Sequence, residues 1–159
     1  VLGQRTTLAA VAEPLLAHYW SPRPQLALGQ ALRGKASSAL DISDGLLADC
    51  GHIAKASAVS LLIERQQLPL SNALLAFVGD DEARVAALSG GDDYELVFTA
   101  APAEREAIAA AGTKSNTRVT RVGTVTSAPG VRVLWPDGSQ ALGKWASFDH
   151  FKAVATPGP

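Results

Sequence analysis

Asp41 and Asp44 stand three residues apart in the run Asp41-Ile42-Ser43-Asp44-Gly45-Leu46. Two carboxylates at that spacing suit a hard cation. Magnesium takes one or two carboxylates and completes its shell with water and phosphate oxygens. A second run, Ser89-Gly90-Gly91-Asp92-Asp93-Tyr94-Glu95-Leu96, joins two glycines to three acids. The glycines let backbone approach a ligand, and the acids can hold a cation or pair with a positively charged ring. Each run also has a plainer reading. Asp or Ser before a helix is often only a cap, and Gly-Gly followed by acids is often a helix end and a solvated turn.

The elements around the first run favour chemistry at a corner. Ser37 to Leu40 reads as a short buried strand. Leu46, Leu47, Cys50, Ile53 and Ala54 then recur at helical spacing, so a helix follows and ends near Ser57. Ser43 or Asp44 is expected to cap it. A helix N-terminus carries unpaired N–H groups and a partial positive charge, which suits phosphate. The spacing therefore predicts that Asp41 and Asp44 converge on one spot before a helix. The Gly90-Gly91 bend is expected to face that spot across a cleft.

The 159 residues suffice for one domain with a sizeable core, or at most two small ones. At 47% hydrophobic and 18% charged, the chain is globular. A formal net charge of −1 gives no bulk attraction to nucleic acid or to a membrane surface. No apolar run is long enough to span a bilayer, and no signal peptide is visible, so a cytoplasmic setting is expected. The single cysteine, Cys50, excludes an internal disulfide framework. The chain opens on Val1 and contains no Met, as a processed chain or a piece of a longer one would.

In order, a helix is expected within Val1 to Tyr19, with Leu8, Val11, Leu15 and Tyr19 on one face and Pro14 kinking it or starting a new segment. Ser21 to Pro24 is a rigid break, and a short helix runs from Gln25 to Leu32. A buried strand covers Val59 to Ile63. Ser71 caps a helix through Val78, and another runs from Asp80 to Leu88. Tyr94 to Thr99 alternates as a strand. Ala103 to Ala111 is a helix stopped by Gly112. Arg118 to Val125 is a strand with a bulge near Gly123, and Pro136-Asp137-Gly138 turns a hairpin between Val131–Trp135 and Ser139–Leu142. The tail, residues 153–159, is expected to be flexible. This irregular interleaving favours an α/β (α+β) fold, a mixed sheet with helices packed on it.

Other chemistries lack their parts. There is no G-x-x-x-x-G-K-[ST] loop and no G-x-G-x-x-G opening a helix. His18, His52 and His150 are scattered, and Ser43 has no base nearby in sequence. Cys50 reads as a small buried apolar group. No residue is assigned as a catalytic acid or base.

The run Ala39 to Asp49 resembles the signature of the thiamine-monophosphate kinase family. So does Ser89 to Leu96, and so do the lead-in Pro22-Arg23-Pro24 with Leu26-Ala27-Leu28-Gly29 and the closing Phe148-Asp149-His150-Phe151. The resemblance covers about Tyr19 to Phe151 and concerns the C-terminal half of that family, whose N-terminal half resembles the ATP-binding domain of aminoimidazole-ribonucleotide synthetase. It implies residues 1–20 as a junction segment and 21–152 as a substrate-side domain, although Val1 to His18 lacks the glycine-rich segment expected at the junction. It also implies transfer of a phosphoryl group from ATP to thiamine monophosphate, inactive without the N-terminal half. Asp41 and Asp44 would ligate Mg2+, Ser43 would contact ATP phosphates, Asp92 would bind the thiamine moiety and Phe148 would stack on it. A homodimer formed chiefly through the N-terminal half is implied too. The rivals are another ATP-dependent enzyme of the same superfamily and a non-catalytic α/β interaction module.

Overall fold

The computed structural model describes residues 9–127 and 130–142. Phe148 and the tail lie outside the described residues. Six helices and six strands follow in chain order: α1 (Ala9–Trp20), α2 (Leu26–Ala31), β1 (Ala36–Asp41), α3 (Leu46–Ser57), β2 (Ser60–Glu64), α4 (Asn72–Val78), α5 (Asp80–Ser89), β3 (Leu96–Ala100), α6 (Arg105–Lys114), β4 (Gly123–Thr126), β5 (Gly130–Leu134) and β6 (Gln140–Leu142). The α/β class is as expected, but the strands form two sheets. β1 pairs antiparallel with β3. The other sheet has the order β4-β2-β5-β6, with β2 and β5 parallel and the remaining neighbours antiparallel. An opening of about 480 Å³ lies where β3, α6 and β4 meet, lined by Cys50, Phe98, Ile108, Val119 and Val125 among others.

Two apolar clusters support the sheets, and Val97 of β3 joins the first of them. The face of α3 that carries Leu46, Leu47, Cys50 and Ile53 packs with Leu61 and Ile63 of β2, Leu88 of α5 and Val133 of β5. Leu28 and Leu32 pack with Ile108 and Ala111 of α6. β2 is buried at Ser60, Leu61 and Ile63 and half-buried at Leu62 and Glu64, as suits a central strand. β1 differs from expectation. Its residues are half-buried or exposed throughout, because Ser37, Ser38 and Asp41 give it little apolar surface.

Local signals hold where one residue type dictates the geometry. Ser71 accepts the Leu74 N–H at 3.1 Å and starts α4. Replacing Ser71 with alanine is expected to cost about 1 kcal/mol, read as a lower denaturant midpoint. Trp135 accepts from Gly138 N–H at 2.9 Å and donates its own N–H to Ser139 at 2.9 Å, which closes the β5–β6 hairpin. Other boundaries moved. α1 runs through Pro14 without ending there. Gly112 does not stop α6, which continues to Lys114. Gly112 is instead buried, and a Cβ there would lie 2.9 Å from the Thr117 oxygen and the Val119 side chain. β4 begins only at Gly123, so Arg118 to Val122 is not strand. β3 begins at Leu96, because Tyr94 adopts φ 54 and cannot extend.

Among the buried polar groups, Arg65 ties three elements together. Its guanidinium pairs with Asp81 at the start of α5 at 2.6 Å and lies 4.9 Å from the centre of the Trp135 ring. Such a cation–π contact is stronger when shielded from water, and the Arg65 side chain is only 7% exposed.

Candidate functional site

The two acidic runs meet by their backbones. Ile42 donates its N–H to the Glu95 carbonyl at 2.8 Å, Tyr94 donates to Ile42 at 2.8 Å, and Asp92 donates to Ser43 at 2.9 Å. These bonds continue the β1–β3 ladder, whose last pair is Asp41 with Leu96. The expected cleft between the runs is thus absent, because backbone fills it. The glycines make that approach possible. A Cβ on Gly91 would collide with the Ser43 carbonyl, and one on Gly45 would lie 3.0 Å from the Ser89 carbonyl group.

The start of α3 also corrects an expectation. Neither Ser43 nor Asp44 caps it. Gly45 occupies the cap position at φ 106 and ψ 150, with no side-chain cap bond. Asp49 does related work from inside the helix. One oxygen of its carboxylate, Oδ2, accepts the Ser43 N–H at 3.1 Å and the Asp44 N–H at 3.2 Å. Asp49 is 4% exposed. Burial pushes its carboxyl above the usual carboxylate range, against the pull of the Asp44 and Ser43 N–H donors. Sequence alone assigns Asp49 no role. The available signal was an acid in the first helical turn, which can reach back over the helix start as the acid of a capping box does.

Asp41 ends β1 and is exposed, while Ser43 and Asp44 are half-buried. Among the described residues, the group of acids and histidines that converges closely is Asp44, Asp49 and His52, with one ligand atom of each within 4.8 Å of the others. Asp41 is not in that group. Asp41 instead lines an open groove of about 690 Å³, together with Tyr94, Arg33, Pro22 and Pro24 among others. Carboxylate oxygens such as those of Asp41 and Asp44 are chemically suited to a hard cation.

On the second run, Asp92 and Tyr94 both adopt positive φ, at 60 and 54. For a residue as bulky as Tyr that conformation is rare, and strain of this kind gathers at functional sites. The three backbone bonds to Ile42 and Ser43 hold it. The Tyr94 hydroxyl donates to Asp92 Oδ1 at 3.1 Å, and that bond raises the phenol above its ordinary range. Asp93 points to another partner. His18, at the end of α1, lies 3.0 Å from its carboxylate. The structure gives Asp92 to Tyr94 and Asp93 to His18. Cys50 is no nucleophile. It is 1% exposed, and burial pushes its thiol up to about 12.

Comparison with known proteins matches this geometry to a family. The AIR synthase related protein, C-terminal domain, matches residues 7–136. The thiamine-monophosphate kinase of Escherichia coli (strain K12) is 40% identical over 146 residues, which cover 92% of this chain and 44% of that protein. The crystal structure of thiamine-monophosphate kinase from Stenotrophomonas maltophilia K279a superposes with a TM-score of 0.78 at 43% identity, covering 89% of this chain and 43% of that one. AaThiL complexed with AMPPCP and TMP gives a TM-score of 0.73 at 28% identity, covering 94% of this chain and 45% of that one. The chain therefore spans less than half the length of these relatives. Its match runs from α1 to the turn after β5 and takes in both acidic runs, and so the chain belongs to the family of the AIR synthase related protein, C-terminal domain.

Proposed function

We propose that this chain is the substrate-side half of an ATP-dependent kinase that converts thiamine monophosphate to thiamine diphosphate. The observation that carries the reading is the backbone junction of the two acidic runs. It sets Asp41, Ser43 and Asp44 beside Asp92 and Tyr94 on one strand-to-helix corner. The similarity to thiamine-monophosphate kinases supports it. So does the structure of a relative complexed with AMPPCP, an ATP analogue, and TMP.

In this reaction an oxygen of the substrate phosphate attacks the γ-phosphorus of ATP. A new P–O–P bond forms, the bond to the β-phosphate oxygen breaks, and ADP leaves. The attacking group is already an anion, so no strong general base is needed, in keeping with the absence of an assigned acid or base. Positioning and charge neutralisation do the work. An acidic corner repels polyphosphate unless a cation intervenes, and Asp41 and Asp44 would hold that cation. Bound Mg2+ would supply neutralisation of the crowded phosphate oxygens. Ser43 would donate its hydroxyl to an ATP phosphate. Asp92, oriented by the Tyr94 hydroxyl, would face the cationic thiazolium, and Phe148 would stack on the ring. The proposal extends to a cytoplasmic enzyme that forms a homodimer through its N-terminal half.

The test is a coupled assay with ATP, thiamine monophosphate and magnesium. The complete enzyme, this chain joined to the N-terminal half its relatives carry, is expected to form ADP and thiamine diphosphate. The chain alone is expected to form neither. Turnover by the chain alone would overturn the half-enzyme reading, and an inactive complete protein would overturn the kinase.

A further inference from the structure

We propose that Asp49 is a positioning residue for the phosphate end of this site: its buried carboxylate fixes the Ser43–Asp44 backbone against α3, and through it the Ser43 hydroxyl and the Asp44 carboxylate. The inference rests on the kinase reading and adds a residue to it.

The geometry is that of a clamp from a rigid element onto a loop. Asp49 sits in the first turn of α3, where its own N–H bonds to the Gly45 carbonyl at 3.0 Å. Leu46, Leu47, Cys50 and Ile53 anchor that turn in the core. From there the carboxylate reaches back to two successive loop N–H groups, at 3.1 and 3.2 Å. The loop needs such a hold, since Gly45 at the cap position offers no side chain of its own. A negative charge at a helix N-terminus is also favoured by the helix dipole. A residue behind a ligand that fixes its direction typically matters 10- to 100-fold for metal affinity or activity.

Both bonds end on the same oxygen, Oδ2. That detail separates this role from a direct one. An asparagine offers one carbonyl oxygen in the same place and keeps both bonds while losing the charge. Alanine loses both. If Asp49 itself bound the cation with Asp44 and His52, which lie close enough to do so, asparagine would fail as badly as alanine.

The experiment uses Asp49→Asn and Asp49→Ala in the complete enzyme. Hydrogen exchange reads the Ser43 and Asp44 amides, Mn2+ binding is followed by paramagnetic resonance, and kcat is measured. Asparagine is expected to keep both amides protected, with Mn2+ affinity and kcat within about 3-fold of the parent. Alanine is expected to expose both amides and weaken Mn2+ binding and kcat by about 10- to 100-fold. If alanine does not fold, the asparagine variant decides alone. Protected amides with lost Mn2+ binding would overturn the positioning role in favour of direct ligation. An asparagine variant that does not fold would overturn it too, since an acceptor oxygen is all the role requires. An inactive parent enzyme would instead refute the kinase reading, and the amide exchange would still report on the clamp.

Discussion

If Asp44 holds the cation as proposed, replacing it with asparagine in the complete enzyme is expected to lower kcat by more than about 100-fold, because loss of a ligand should exceed the roughly 10- to 100-fold typical of a residue behind one. The substitution preserves shape and removes one negative charge. Asp44 also lies on the loop that Asp49 holds and Asp92 buttresses, so the neutral amide is presented in the same position. What changes is the attraction for a divalent cation, and with it the screening of the phosphates as they meet. The loss should be partly recovered at high magnesium, since weakened binding is countered by concentration. Steady-state rates across a magnesium titration check both points. A near-normal rate at ordinary magnesium would remove Asp44 from the metal role.

Replacing Gly45 with alanine is expected to destabilise the protein by about 2–4 kcal/mol, from two effects that add. Its backbone, at φ 106 and ψ 150, lies in a region that only glycine occupies readily, which costs about 1–3 kcal/mol for any other residue. The new methyl would also lie 3.0 Å from the Ser89 carbonyl carbon and oxygen, which belong to the end of a packed helix and cannot swing aside. For a domain of this size each kcal/mol shifts the melting temperature by roughly 2–4 °C. Gly34→Ala is the control. Gly34 also has positive φ, at 75, but a Cβ there would meet nothing within 4 Å, so it should cost only about 1 kcal/mol. Thermal melting of the two variants side by side separates the conformational cost from the collision. Equal losses would show that the contact between the two runs is loose.

Where one side chain or one spacing decides, the sequence was readable. Ser71 as a cap, the Pro136-Asp137-Gly138 hairpin, the buried run of β2 and the helix after Gly45 all follow from local chemistry. The two acidic runs stood out for the same reason, since acids beside glycines mark the corners of a chain, whether they serve as caps and turns or as ligands. What escaped was decided by long-range packing. Gly112 reads as a helix stop, yet α6 passes through it because Thr117 and Val119 need its missing side chain. Ser37 to Leu40 reads as buried, yet β1 is half of a two-stranded sheet and stays open. Asp49 reads as one more helical acid until its oxygen is seen turned back on Ser43 and Asp44. The gap foreseen between the runs is closed by three backbone hydrogen bonds that no residue type announces.

Those three bonds carry a thermodynamic consequence. The strand end that presents the phosphate-side groups and the strained turn that presents Asp92 are one continuous piece of hydrogen-bonded backbone. In the proposed kinase, a nucleotide at Ser43 and a thiamine phosphate at Asp92 would rest on that shared backbone, so any strain that one ligand changes would be met by the other. Linkage makes that coupling equal in both directions, so whatever factor one substrate lends to the other's affinity is returned in kind.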